Sequence, residues 1–169
     1  MKKRIVLVGC SSQKAEHSAP AALLYKSDLF KKAIAYAKYL QFVNQASHVL
    51  ILSAKHGAIR PDQHIEPYDL KVTELSKIER HCWEFNVRSR IEALVGAEGT
   101  TEDVELVWLP GKSYQLDVKR FHPHWSHSYP MEGLFVGQRK QWLKANTLVE
   151  PMVRTDKKGQ LVWDWGKAA

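Results

Sequence analysis

The sequence predicts an α/β protein: a three-layer, mostly parallel sheet with helices on both faces, followed by a C-terminal hairpin. Three observations carry this. Apolar runs at 4–9, 48–53 and 104–109 are continuous rather than alternating, as in strands covered on both faces. Stretches with helical spacing separate them, giving strand–helix alternation. Each run opens into a polar, charged loop, and in such sheets the loops at the strand carboxyl ends carry function.

Residues 4–9 form the first expected strand, with Ile5–Val8 apolar and rich in β-branching. Met-Lys-Lys-Arg, this run, Gly9 and Cys10 together mimic a lipoprotein signal. The run is only about five residues, where such a region needs about 7–15, so a buried strand is expected instead. A polar loop reaches to Pro20. Ser27 is expected to cap a helix over 27–42, with Phe30, Ile34, Ala37 and Gln41 on its stripe and Ala33 and Leu40 flanking. His48–Ser53 is the second strand. Residues 54–72, broken by Gly57, Pro61 and Pro67, read as too interrupted for a regular element.

Thr73 is expected to cap a long helix ending near Gly96, with Leu75, Ile78, Cys82 and Phe85 on one stripe. An acidic linker over 97–105 leads into the third strand, 104–109. Pro110-Gly111 marks a turn, and a short helix is expected from Ser113. Residues 121–132 read as an irregular His, Pro and aromatic loop, and 136–146 as the last helix. Asp156-Lys157-Lys158-Gly159 sits at the turn of a tail hairpin. One domain, 1–146, with a hairpin tail, 147–169, packed on it is the expected organisation.

The chain has 169 residues, 44% hydrophobic and 25% charged, which is a globular balance. Lys plus Arg is 25 against 18 Asp plus Glu, a net charge of +7. That favours an anionic partner without making a basic tail, because the charge is spread along the chain. Two cysteines, Cys10 and Cys82, are too few for a disulfide scaffold and point to reduced thiols in a cytoplasmic protein. No apolar run is long enough to span a membrane.

The loops after the three strands hold the candidate chemistry. In the first, Cys10 and Lys14 are candidate nucleophiles, with Ser11 beside them as a binding group. A thiolate attacks best when a nearby cation lowers its pKa, and a desolvated Lys can itself attack carbon. Backbone N–H groups and Lys14 can alternatively hold a phosphate. In the second, Lys55 and His56 emerge at the strand end, Ser53 precedes them, and Gly57 permits a positive φ. Stiffened by proline, the same loop presents Glu66 and Asp69 as general-base carboxylates on either side of Tyr68. In the third, Lys112, Ser113 and the expected helix start form an anion seat, and Arg139 of the last helix is a further phosphate ligand. His122, His124 and His127 lie close together, but their spacing matches no familiar zinc pattern, and no metal or other cofactor is expected.

The segment LSAKHGAIRPDQHIEPYDL (52–70) resembles the corresponding loop of the YaaA-like peroxide-stress proteins. Ser53, Gly57, Arg60, Pro61, Ile65, Pro67, Tyr68 and Leu70 match its pattern. His56, Glu66 and Asp69 stand where that family has Tyr, Gln and Arg, changing the charge of candidate site positions. The chain is still more similar to small bacterial and phage proteins known only as a domain of unknown function. The shared segments are Val8–Ser11, Leu24–Phe30, Ser53–Gly57, Glu66–Asp69 and Gly137–Leu143, and the likeness spans roughly 4–143. Cys10-Ser-x-x-Lys14 also resembles an element in the core domain of archaeosine synthase, a tRNA base-modifying enzyme. These resemblances imply an α/β fold and an association with nucleic acids or nucleobases.

Two functions of different class follow as expectations. One is a nucleic-acid-associated enzyme that acts on a base or nucleoside, by glycosidic-bond or base-modifying chemistry, in a pocket at the strand carboxyl ends. In it Cys10 or Lys14 attacks, Glu66 or Asp69 acts as base, Lys55 and His56 bind phosphate or move a proton, and Tyr68 orients the base. The other is a non-catalytic DNA-binding or stress-protection protein, with affinity that falls steeply with salt. Binding of a free nucleotide-like metabolite, held by Lys14, Lys112 and Arg139, is a third possibility.

Overall fold

A computed structural model of the chain describes residues 2–96, 103–116 and 122–168. In chain order the elements are β1 (Lys3–Gly9), β2 (Ala19–Pro20), α1 (Ala21–Leu24), α2 (Asp28–Phe42), β3 (His48–Ser53), β4 (Gly57–Ile59), β5 (His64–Ile65), α3 (Lys77–Val95), β6 (Val104–Trp108), β7 (Ser126–Ser128), α4 (Val136–Asn146), β8 (Met152–Thr155) and β9 (Leu161–Asp164). The central sheet has the order β4-β3-β1-β6-β7. All its neighbours are parallel except β3 and β4.

β1 is apolar throughout because it serves two cores at once. Val6 and Val8 face one layer with Val49, Ile51, Val107 and Leu109, against α2 and Leu143 of α4. Ile5 and Leu7 face the other with Leu50, Leu52, Leu106 and Trp108, against Trp83, Val87, Ile91 and Val95 of α3. Alternate residues of one strand thus feed opposite layers, which is why the run does not alternate in polarity. The three-layer α/β fold is the expected one.

α2 follows its sequence closely. Ser27 Oγ accepts the Phe30 N–H at 3.2 Å, and Phe30, Ala33, Ile34, Ala37 and Leu40 are buried. Gln41 is only partly buried and works as a polar clasp instead. Its amide donates to the Ser47 carbonyl at 3.1 Å and its Oε1 accepts from Lys38 at 2.6 Å.

α3 departs from expectation in both cap and phase. Its N-cap is Ser76, in a reciprocal capping box with Glu79, while Val72–Glu74 is a separate 3-10 turn. The expected stripe of Leu75, Ile78, Cys82 and Phe85 is not the buried one. Ile78 is 78% and Phe85 60% exposed, and Cys82 is exposed. Burial follows Trp83, Val87, Ile91 and Val95, because the large indole anchors the helix, donating Nε1–H to the Ser53 carbonyl at 2.8 Å.

The 54–72 segment is more regular than its prolines imply. β4 runs antiparallel to β3 as an edge strand, and β5 pairs with β2. The short helix expected from Ser113 is a single 3-10 turn, Lys112–Tyr114. Within the expected His-rich loop, β7 adds a parallel edge strand beside β6. Of the expected acidic linker, residues 97–102 lie outside those described. The tail forms the expected hairpin. β8 and β9 are antiparallel, and Asp156 Oδ1 accepts from the Lys158 and Gln160 amides at the turn. Leu161 and Trp163 pack on the α2 side of the core, and Trp165 stacks on Phe42 with ring centroids 4.3 Å apart. No described helix is long and apolar enough to cross a membrane.

Candidate functional site

The topology singles out one crevice. The chain leaves β1 toward α2 on one face of the sheet. It leaves the neighbouring β6 toward the Lys112–Tyr114 turn, whose Tyr114 packs on the α3 face. Two adjacent parallel strands whose following loops diverge to opposite faces leave an opening at their carboxyl ends. A cavity of about 570 Å³ fills that opening. Gly9–Gln13 and Leu109–Gly111 form its floor, the first turn of α2 one side, and Val136, Arg139 and Lys140 of α4 the other. Gly9 is required here: a Cβ at this position would sit 2.8 Å from Pro110 Cβ.

Cys10 lies at the junction of this crevice and a bed of phenols. Its Sγ is 3.3 Å from Tyr114 Oη. Tyr68 Oη is 2.7 Å from both Tyr25 Oη and Ser53 Oγ, and Ser53 Oγ also accepts the His56 N–H at 3.1 Å. Ser53 is fully buried, so this chain satisfies a polar group the core otherwise penalises. Burial is the largest cause holding all three phenols protonated. It raises Tyr25 to about 12, against hydrogen bonds from Ser53 and Tyr68 that lower it, and the neighbouring Cys10 adds to the rise. Tyr68 and Tyr114 also shift upward through burial first and Cys10 second. Lys14 Nζ lies 4.3 Å from the Tyr68 ring centroid, a cation–π contact, and reaches the Ser12 carbonyl at 3.4 Å.

His56 packs edge-on against Tyr68 with centroids 5.6 Å apart. Burial, then the charge of Lys55, lowers its pKa, so its ring is neutral at neutral pH. Its Nε2 is buried with no hydrogen-bond partner among the described residues. Gly57 takes the expected positive φ, +72°. It also lets Asn86 approach, so that Asn86 Oδ1 accepts the Ala58 N–H at 3.3 Å.

The structure therefore brings together Cys10, Ser11 and Arg139 at the crevice, and Lys14, Ser53, His56 and Tyr68 in the adjoining bed. Lys55 is exposed and borders, with His56, Gly57, Glu79, Cys82 and Asn86, a separate recess of about 320 Å³ on the α3 side. Glu66 and Asp69 are exposed and line neither the crevice nor that recess. Lys112 and Ser113 sit on the 3-10 turn, which is too short to supply a helix dipole, and the Ser113 carbonyl is taken by Arg80. His122, His124 and His127 are drawn into aromatic packing. His122 stacks on Trp125 at 3.8 Å and meets Glu92 at 2.7 Å, while His127 Nδ1 accepts the Trp108 indole N–H at 3.0 Å. Among the described residues no group of three or more His, Cys, Asp or Glu is placed to hold a metal ion.

Sequence reasoning missed Tyr25, Asp28, Tyr114 and Lys140. Tyr25 and Asp28 fall inside Leu24–Phe30, a shared segment whose evident local role is to start a helix. Asp28 bridges Lys32 at 2.5 Å and Lys140 at 3.2 Å, and these two lysines hold its carboxyl below the usual range. Arg139 is fixed by bonds to the Leu134 carbonyl at 2.9 Å and the Leu109 carbonyl at 3.4 Å, which ties α4 to the end of β6.

Fold and site define an α/β protein with a polar, thiol-bearing crevice at a topological switch point. Residues 5–145 match the family described as "Family of unknown function (DUF6884)", and the chain belongs to that family. A comparison with curated proteins finds no match.

Proposed function

We propose that the protein is a nucleobase- or nucleoside-processing enzyme that takes a nucleotide-like ligand in the β1–β6 crevice. The observation that carries this reading is the cavity itself. A concave opening at the strand carboxyl ends has a thiol in its wall and a guanidinium and an ammonium on its α4 side. Arg139, already oriented by two carbonyls, presents its remaining N–H donors to a phosphate. Cys10 is the reacting group, with Tyr114 as its hydrogen-bond partner. Lys14 and the phenol bed supply positive charge and hydroxyls beside it. The resemblance of residues 52–70 to the YaaA-like loop supports the nucleobase part of the reading.

Titration calorimetry with a panel of nucleosides and nucleoside monophosphates tests it. At least one monophosphate is expected to bind. Arg139→Ala should weaken that monophosphate about tenfold or more while leaving its nucleoside nearly unchanged, as removal of one charge-assisted hydrogen bond to phosphate requires. Cys10→Ala should keep binding and lose turnover. Absence of binding by every member of the panel overturns the reading.

A further inference from the structure

A second cleft, of about 420 Å³, lies between α2 and the C-terminal hairpin. Tyr25, Lys26, Asp28, Lys31 and Lys32 border it from α1–α2, and Glu150, Pro151, Val153 and Trp163 from the tail. Asp28 belongs to both cavities. Its two oxygens are divided between Lys32, which borders the cleft, and Lys140, which borders the crevice. The boundary between the cavities is thus a neutralised carboxylate on the first turn of α2.

The cleft, like the crevice, is bordered by lysine, and it adds an indole. Lys26 and Lys31 are exposed and have no acidic partner among the described residues. Among the described residues, Glu150 is the one lining carboxylate other than the doubly paired Asp28. Trp163 is half-buried, with Lys38 Nζ 5.2 Å from its ring centroid, so the indole is held while it borders the cleft. Two adjoining cavities that both carry cations, the second with an indole, suit a phosphate backbone with stackable bases.

Resting on the nucleotide reading above, we propose that the ligand is a single-stranded oligonucleotide. Its backbone runs from the crevice past Asp28 into the hairpin cleft, where Trp163 stacks on a neighbouring base. The tail wall, from Glu150 to Trp163, lies outside the family-matched residues 5–145.

The test compares a mononucleotide, the matching dinucleotide and a six-residue single strand on three proteins: wild type, Trp163→Ala, and Lys26→Glu with Lys31→Glu. Wild type should bind the six-residue strand at least about tenfold more tightly than the mononucleotide. Trp163→Ala should forfeit most of that advantage and keep mononucleotide affinity. The double Lys variant, confined to exposed side chains, should do the same and flatten the salt dependence of strand binding, by roughly 0.7 in log–log slope for each phosphate it no longer neutralises. Equal affinity of wild type for mononucleotide and strand overturns the extended track and leaves the crevice reading standing. So does an equal weakening of both ligands in the double Lys variant. Failure of wild type to bind any of the three overturns both.

Discussion

His48 and His56 illustrate how single side chains make this fold sensitive to acid. Burial is the main cause lowering both pKa values from the ordinary 6.5, with Lys3 and Lys55 adding to it. In the unfolded chain each ring binds a proton near pH 6.5, while in the native state it stays neutral to lower pH. The unfolded state therefore binds more protons in that window, and stability falls as pH drops below about 6.5, levelling off beneath the folded values. The urea midpoint should be flat from pH 8 to 7 and decline from 6.5 toward 5.5. Replacing both histidines by Gln should remove most of that slope, and a slope unchanged in the double variant would contradict the assignment. The same scale shows why Gly57 is legible in the sequence and Tyr114 is not. A glycine after a strand, before a proline-rich loop, has a backbone reason to be there. Tyr114 acquires its role only because Cys10, from a distant loop, ends 3.3 Å away.

At the scale of elements, α3 separates local signals from tertiary ones. Its existence and length follow from a long run without Gly or Pro. Its cap and face do not, because two hydroxyls, Thr73 and Ser76, stand near the start, and apolar residues lie on more than one side. Ser76 captures the Glu79 amide and Glu79 returns a bond at 2.7 Å, whereas Thr73 lies in the preceding 3-10 turn. Ser76→Ala should therefore cost about 1 kcal/mol in chemical denaturation. Thr73→Ala should stay within about 0.5 kcal/mol, and the reverse order would show the cap to be misplaced. The exposed Ile78 and Phe85 resemble core residues in the sequence because hydrophobicity alone does not reveal where the sheet lies. Trp83 decides the phase, since only one orientation lets its N–H reach a buried carbonyl.

For the whole molecule, the sheet order predicts where stability resides. β1 is the centre, paired on both edges with β3 and β6 and covered on both faces, so its amides open only with global unfolding. The β8–β9 hairpin is a separate two-stranded sheet held by side-chain packing on α2, and a lone pair of strands has little stability of its own. Native-state hydrogen exchange should place the amides of Val6–Val8 in the slowest class and those of β8 and β9 in a class faster by orders of magnitude. Coincident protection of the two would show the tail to be an integral part of the core. That difference also bears on the proposed oligonucleotide track, because its second wall is the less firmly held one.

Taken by itself, the sequence determined the α/β class, the three long buried strands, α2 with its Ser27 cap, and the presence of polar loops at the strand ends. These are local properties: a doubly buried strand must be apolar along its length, and a helix must repeat its face and satisfy its first N–H groups. Only the tertiary structure decided which loop residues share a site. Strand order β3-β1-β6 puts the Cys10 loop beside Pro110–Tyr114 and brings Arg139 from near the far end of the chain, while Glu66 and Asp69, closer in sequence to the Tyr68 bed, stay in solvent. The reason is that parallel crossovers join residues far apart in sequence, and which two loops diverge to leave a crevice depends on the order of strands, a property no single segment encodes.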